Sequence, residues 1–211
     1  MFRKPLIAAA SLALLMSLSA CSTLDGGGGF GGGDYALVRA APHSVGDGAM
    51  VVTPPHEWNR IRARLFDDVR AVEDWTLNGP YLDGISFISG LKSGKAIVRQ
   101  DRQEYRQVPK YRADMTPPEV AAMLESLYRV RGGAVDFKTL GLAPRSFLGQ
   151  PGYQFDFEHL DGDEVWRKGR AVGTTVNGRL YLTLYDAVRS HYYNASIADY
   201  EAITESARLK R

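Results

Sequence analysis

An Asn-Gly pair occupies positions 177 and 178, between two runs rich in β-branched and apolar residues. This pair is the strongest short-range signal for a two-residue β-hairpin turn, in which both central residues have positive φ. Such a turn determines which residues face each other on the two strands. The opposed pairs are Val176–Arg179, Thr175–Leu180, Gly173–Leu182 and Ala171–Leu184. Because small residues face leucines there, we predict a buried sheet face beneath a helix.

The preceding segment, 153–159, alternates strictly between aromatic and polar residues, which is typical of a half-buried strand. A three-residue turn around 161–163 would place Phe155 opposite Gly169 and put the aromatic side chains on the leucine face. The predicted core consists of Tyr153, Phe155, Phe157, Ala171, Leu180, Leu182 and Leu184.

The other face of these strands carries both charged and aromatic side chains. Its predicted members are Gln154, Asp156, Lys168, Arg170, Tyr181, Thr183 and Tyr185. If this face is open to solvent, Arg170, Tyr181 and Tyr185 are the first candidates for a partner-binding surface, since tyrosine offers a large contact area with a polar end.

Two helices are predicted from their start signals. Thr116-Pro117-Pro118-Glu119 has the pattern of a capping box with proline in the first turn, and Gly132-Gly133 ends the helix. Ser196 and Asp199 favour the start of a closing helix at Ser196.

The remaining elements are predicted to be strands or loops. Strands are expected at Ala49–Thr53, Trp75–Gly79, Leu82–Leu91 and Ala96–Arg99, whereas Trp58–Val72 fits either a helix or a strand. Strands and helices do not alternate as in βαβ units. The predicted fold class is therefore α+β, with a mainly antiparallel sheet and helices packed on it.

The N-terminus has the pattern of an export signal. Arg3 and Lys4 precede an uncharged apolar run at 6–18, which is too short to span a bilayer as a helix. The sequence Leu18-Ser19-Ala20-Cys21 follows, and it resembles the lipobox of bacterial lipoproteins. The resemblance implies cleavage before Cys21 and a lipid anchor on that residue. An ordinary secretory signal with an incidental cysteine is the alternative.

The same resemblance predicts where the protein resides. Ser22, rather than an aspartate, follows the cysteine, and this implies the outer membrane in preference to the inner one. A lipid-anchored chain would then face the periplasm from the cell envelope.

A glycine-rich segment, GGGGFGGG at 26–33, follows the signal. It satisfies a GxGxxG pattern through composition alone, and it lacks the preceding strand and following helix that a dinucleotide site needs. We therefore predict three parts: a signal peptide at 1–20, a flexible tether at 21–45 and a single domain at 46–211.

The charge pattern argues against general nucleic-acid binding. The chain has 26 basic and 24 acidic residues, and loss of Arg3 and Lys4 would leave equal numbers. A basic stretch at 99–114 is interpreted as an exposed loop of solvated charge. A site for an acidic lipid or polymer is the alternative for this stretch.

Residues with catalytic or metal-binding chemistry are few. The four histidines, at 43, 56, 159 and 191, are far apart in sequence, so neither a metal site nor a cofactor is predicted. Ser190, His191 and Asp186 have the residue types of a hydrolytic triad, but such a triad is recognised by geometry rather than by adjacency. A lipoprotein hydrolase using these three residues is therefore the alternative function.

Two resemblances bear on the domain. The WTLNG segment at 75–79 and the stretch from Gly169 to Tyr193 resemble segments of uncharacterised proteobacterial lipoproteins. The order of elements is similar to the α/β/α sandwich of PsbP-type proteins. The preferred function is a non-catalytic envelope lipoprotein that binds an envelope protein or cell-wall component.

Overall fold

The computed structural model describes residues 34–62 and 69–210. Cys21, the signal segment and the glycine-rich run lie outside these described residues. The predictions of cleavage and lipidation therefore stay predictions.

The described residues form strands, two α-helices and one short 3-10 turn. The helices are α1, Pro117–Arg131, and α2, Tyr192–Glu205, and the 3-10 turn is Glu104–Arg106. The strands are β1 Tyr35–Val38, β2 His43–Val45, β3 Met50–Val52, β4 Trp58–Ile61, β5 Val72–Thr76, β6 Asp83–Lys92, β7 Asp136–Pro144, β8 Tyr153–Leu160, β9 Trp166–Val176, β10 Arg179–Val188 and β11 Arg208–Leu209.

The strands form two sheets with antiparallel pairing throughout. The larger sheet has eight strands in the order β1-β4-β5-β6-β10-β9-β8-β7, and the smaller has the order β11-β3-β2. With α1 packed on one face of the larger sheet and α2 on the other, the α+β prediction is confirmed.

The core beneath α1 contains every residue that the sequence predicted for it. Its apolar cluster includes the seven predicted side chains together with Val120, Met123 and Leu124 of α1. The register of β9 and β10 also matches the prediction from Val176–Arg179 to Ala171–Leu184. Asn177 and Gly178 have φ of 49° and 71°, as the hairpin turn requires.

The predicted register between β8 and β9 is wrong by two residues. Phe155 faces Ala171, not Gly169, because the connection covers the five residues 161–165. The Asp161 carboxylate stabilises this longer turn by accepting hydrogen bonds from the backbone N–H groups of Asp163 and Val165. A shift of two keeps every side chain on its face, so the predicted core is unaffected.

The opposite face of the sheet is covered along β10 and partly exposed along β8 and β9. Tyr185 and Thr183 are fully buried and Tyr181 is 7% exposed, because α2 and the smaller sheet cover them. The condition under which Arg170, Tyr181 and Tyr185 would form a partner surface is therefore not met. β10 carries no charged residue between Leu180 and Tyr185, which is typical of a strand buried on both faces.

Several element boundaries differ from prediction. β1 and β2 lie before residue 46, so strands form within the segment 21–45 that was predicted to be a flexible tether. α2 begins at Tyr192, and Ser196 is buried inside it rather than capping it. No strand forms at 96–99, and β7 was not predicted.

The two apolar clusters contain most of the described core. Their members lie between Val38 and Leu209, so packing of the domain draws on residues within this range. The part of the chain that the structure describes includes no helix long and apolar enough to cross a membrane.

Candidate functional site

A cavity with a strongly uneven charge lies where β6 ends and β10 begins. We call it the basic pocket, and its volume is about 590 Å³. Five separate parts of the chain meet there: the turn between β2 and β3, the residues before β5, the end of β6, a long excursion after β6, and the start of β10. Its lining residues are Asp47, Val69, Arg70, Ala71, Gly90, Leu91, Lys92, Gly94, Lys95, Ala96, Val98, Arg99, Gln100, Lys110 and Arg179.

The charge of this pocket is strongly positive. Of the lining side chains that the structure describes, six are cationic and a single one, that of Asp47, is a carboxylate. Among the described residues, five of these cations form no ion pair with a carboxylate. They are Arg70, Lys92, Lys95, Lys110 and Arg179. A cavity lined by charge of one sign raises the local concentration of ligands with the opposite charge.

The excursion at 93–112 holds three of these cations, Lys95, Arg99 and Lys110. Its two ends are joined by reciprocal backbone hydrogen bonds, from Gly94 to the Tyr111 carbonyl and from Tyr111 to the Lys95 carbonyl, each 2.8 Å long. The fully buried Tyr111 ring anchors it, and the Tyr111 hydroxyl lies 2.9 Å from Thr175 Oγ1. The cations therefore project from a fixed backbone.

The Gln100 side chain stabilises the middle of the excursion through two hydrogen bonds. Its Nε2 donates to the Val108 carbonyl at 2.8 Å, and its Oε1 accepts from the Val108 N–H at 3.1 Å. A side-chain amide that pairs with both backbone groups of one residue replaces a strand partner there. The excursion therefore keeps its shape without belonging to a sheet.

The end of β6 is redirected by a β-bulge at Gly90. β10 pairs Tyr181 with Ser89 and Leu180 with Leu91, so Gly90 has no partner across the strands. Its φ is +80°, and a Cβ atom there would lie 3.2 Å from the Tyr181 hydroxyl. Glycine suits this position on both grounds, and the bulge bends the strand end toward the pocket.

A neighbouring cavity of about 510 Å³ shares Asp47, Val69 and Arg70 with the basic pocket but has a balanced charge. Arg60, Arg62 and Arg70 line it together with three acidic residues, Asp47, Glu73 and Asp74. Its carboxylates are also engaged within the fold: Glu73 accepts hydrogen bonds from the Trp75 indole and from the Gly46 N–H. This cavity lacks the charge excess that singles out the basic pocket.

The predicted hydrolytic residues do not come together. Ser190 and His191 are exposed in the turn between β10 and α2, where the His191 ring packs edge-on against Tyr192. Asp186 forms no hydrogen bond to either of them within the described residues. Its carboxylate lies 3.1 Å from His159 Nε2 and 3.0 Å from Arg167 Nε instead. The hydrolase alternative therefore loses the geometry on which it depended.

Asp186 stabilises a largely buried polar cluster beneath α1. Burial by itself would raise the pKa of its carboxyl, but the hydrogen bond with His159 and the Arg167 charge hold that pKa below its usual value. The Arg167 guanidinium also donates to the Tyr81 carbonyl at 2.7 Å. The cluster ties the ends of β8, β9 and β10 to the loop before β6.

Arg170, predicted for a partner surface, instead joins the sheet to α2. Its guanidinium donates to both Asp156 oxygens, at 2.6 and 2.9 Å, and to Glu201 of α2 at 2.6 Å. Arg145 donates to the other Glu201 oxygen at 2.6 Å. These hydrogen bonds hold the pKa of Glu201 below its usual value although burial opposes them. The cluster of Arg145, Asp156, Arg170 and Glu201 is here called the arginine network.

The WTLNG segment has a structural role in this fold. Asp83 is fully buried, and its carboxylate accepts hydrogen bonds from the Thr76 hydroxyl and the Leu77 N–H at 2.8 Å each. The Asn78 side chain and backbone N–H also donate to it. The motif therefore forms the turn between β5 and β6, and hydrogen bonds to the Asp83 carboxylate fix its conformation.

Metal binding has no support in the described ranges. No group of three or more histidine, cysteine, aspartate or glutamate side chains in residues 34–62 and 69–210 is arranged to hold a metal ion. The His56 imidazole donates a hydrogen bond to the Asp199 carboxylate, and this interaction raises the pKa of the imidazole despite partial burial.

Comparison with known proteins identifies the fold. The solution structure of cyanobacterial PsbP (CyanoP) from Synechocystis is similar to this chain, with a TM-score of 0.53 and 17% sequence identity. The similarity covers 89% of this chain and 99% of that one. The chain has a PsbP-like fold. At this identity the likeness shows the fold alone, and it transfers no function.

Other comparisons are weaker. A protein from Bacteroides thetaiotaomicron matches with a TM-score of 0.47 and 7% identity, over 82% of this chain and 50% of that one. LpqN, described as involved in cell envelope biogenesis of Mycobacterium tuberculosis, matches with a TM-score of 0.34 and 10% identity, over 85% and 86% of the two chains. No protein-family model and no curated protein matches the sequence.

The sequence pointed to only part of the basic pocket. The basic stretch at 99–114 favours an exposed loop, with binding of an acidic lipid or polymer as the alternative. Arg70, Lys92 and Arg179 come from other segments, and only the sheet brings them beside Lys110. No local sequence pattern predicts that cations from such distant segments will line one pocket.

Proposed function

We propose that this chain is a lipid-anchored envelope protein whose domain binds an anionic envelope component in the basic pocket without catalysing a reaction. The observation that carries the binding proposal is the charge of the pocket: in the described part of its lining, six cations face one carboxylate around a cavity of about 590 Å³. That volume lies within the usual range of small-molecule sites, roughly 300–1,000 Å³.

The anchoring proposal rests on the N-terminal sequence. Arg3, Lys4, the apolar run and the LSAC ending together support acylation at Cys21, periplasmic exposure and, through Ser22, the outer membrane. Metabolic labelling with a fatty acid should tag the wild-type protein, and Cys21→Ser should lose the tag. Label that persists in Cys21→Ser would contradict the anchor.

The binding proposal is tested with inorganic pyrophosphate as probe, titrated calorimetrically into the polypeptide 22–211. This polypeptide keeps every described residue and lacks the lipidation site. We expect binding that weakens as salt is added, because exposed charges are screened over about 10 Å at 0.1 M. The double variant Lys92→Glu/Arg179→Glu should bind at least tenfold more weakly than the wild type.

The matched control reverses two cations outside the pocket. Arg39 and Lys138 are exposed, and they lie near the two opposite edges of the eight-stranded sheet. The variant Arg39→Glu/Lys138→Glu changes the net charge by the same amount and should keep the wild-type affinity within about twofold. Equal losses in the two double variants, or no binding by the wild type, would contradict the proposal.

A further inference from the structure

The floor of the basic pocket is apolar. Ala71, Leu91 and Ala96 are at least nine-tenths buried there, and Val69 and Val98 are half-buried beside them. A site for a free inorganic anion needs donors but gains nothing from a hydrocarbon floor. The combination of a cationic rim and an apolar floor suits a ligand that is itself charged at one end and apolar at the other.

The pocket has few means to recognise a neutral polar ligand. The part of the lining that the structure describes has no serine, threonine, tyrosine or asparagine, and the Gln100 amide is already paired with the Val108 backbone. Sugars and peptides are usually oriented by a few such polar groups. Charge and apolar contact are the two properties that this lining offers.

The rim combines lysine with arginine. Arg70, Arg99 and Arg179 supply planar guanidinium groups, which match the oxygens of a phosphate in pairs, while the three lysines supply compact point charges. A phosphate ester carries one or two negative charges and exposes several oxygens. It can therefore engage more than one of these cations at a time.

We infer that the basic pocket takes the phosphorylated headgroup of a membrane lipid, with the first carbons of its chain region against the apolar floor. This inference rests on the proposed function and names the ligand class of that same site. Basic side chains are attracted to anionic lipid headgroups. Burial of the first CH₂ groups against the apolar floor adds a favourable hydrophobic contribution.

The test compares three phosphate probes on the polypeptide 22–211. They are inorganic pyrophosphate, glycerol phosphate, and a short-chain phosphatidylglycerol used below its micelle concentration. Binding is measured by calorimetry at one salt concentration. The short-chain lipid should bind at least tenfold more tightly than glycerol phosphate, because only the lipid reaches the floor. Lys92→Glu/Arg179→Glu should weaken all three.

A floor variant separates the lipid from the free anion. Val98 is half-buried and lines the pocket without belonging to a helix or strand, so Val98→Ser should fold normally. It should weaken binding of the short-chain lipid three- to tenfold and leave pyrophosphate unchanged. Circular dichroism and urea unfolding confirm the fold of each variant before it is titrated.

Each outcome decides the inference. Equal affinity for lipid and glycerol phosphate, or an unchanged lipid affinity in Val98→Ser, would overturn it while leaving the proposed function standing. No binding of any probe would overturn both.

A second experiment measures sedimentation of the protein with vesicles of phosphatidylglycerol and phosphatidylcholine. Equal loss of vesicle binding in Lys92→Glu/Arg179→Glu and Arg39→Glu/Lys138→Glu would indicate non-specific adsorption and overturn the inference.

Discussion

The arginine network and the basic pocket use similar side chains in opposite ways. In the network, Arg145 and Arg170 each contact a carboxylate at 2.6 Å and are less than a quarter exposed. In the pocket, cations such as Lys92 and Lys110 are exposed and lack an ion-pair partner among the described residues. Burial of a charge requires compensation within the fold, whereas a solvated charge does not.

The difference separates cations that hold the fold from cations that are available to a ligand. Removing a network arginine deprives a partly buried carboxylate of a hydrogen-bond donor and of a compensating charge. Removing a pocket cation relieves repulsion among like charges. The two sets should therefore respond in opposite directions to the same kind of substitution, and this contrast can be measured.

The largest effect is expected from Arg170→Met. The substitution leaves Asp156 without its guanidinium and Glu201 with only Arg145, so the free energy of unfolding should fall by about 2–3 kcal/mol. Arg179→Met in the pocket should change it by less than about 0.5 kcal/mol. Urea unfolding followed by circular dichroism measures both. Similar costs for the two variants would remove the distinction between the clusters.

A smaller effect is expected when the pocket's support is weakened. Gln100→Ala leaves both backbone groups of Val108 without their partner, which should cost about 1–2 kcal/mol. The excursion that carries Lys95 and Lys110 should then exchange its backbone amides faster, and pyrophosphate affinity should fall about three- to tenfold. Gln107→Ala, an exposed neighbour, should change neither amide exchange nor affinity. Unaltered exchange in Gln100→Ala would show that Gln100 does not position the pocket.

The response to acid should also differ between the clusters. The folded-state pKa of Glu201 lies below its usual value, so its contribution to stability is present above the unfolded pKa of about 4.3. That contribution is lost as the pH falls through the folded pKa. Glu201→Gln should therefore flatten the decline of the unfolding free energy below about pH 4.5. Arg179→Gln should leave the decline parallel to that of the wild type, and a flattened curve there would contradict the comparison.

The smallest effect is electrostatic repulsion within the pocket. At about 0.01 M salt, Arg179→Gln should raise the free energy of unfolding by about 0.3 kcal/mol, and the gain should vanish at about 0.5 M salt. Lys138→Gln, which loses the exposed contact with Asp136, should show no such gain. Urea unfolding at the two salt concentrations measures this. A gain in both variants would show that repulsion is spread over the whole domain.

Local chemistry alone determined a substantial part of the fold. The Asn177-Gly178 turn set the register of β9 and β10, and the Thr116–Glu119 capping box set the start of α1. Each signal involves residues that interact within a few positions of one another. The alternation of residues along β8, β9 and β10 then predicted which side chains face the core. Because side chains alternate with a period of two, a register error of two residues leaves each side chain on the same face.

Tertiary structure decided the features that depend on distant segments. Whether Tyr185 faces solvent or α2 depends on where α2 packs, and the partner of Arg170 lies 31 residues away at Glu201. The basic pocket combines Arg70, Lys110 and Arg179, which only the eight-stranded sheet brings together. Periodicity and turn chemistry describe neighbours along the chain, but the compensation of a charge depends on neighbours in space.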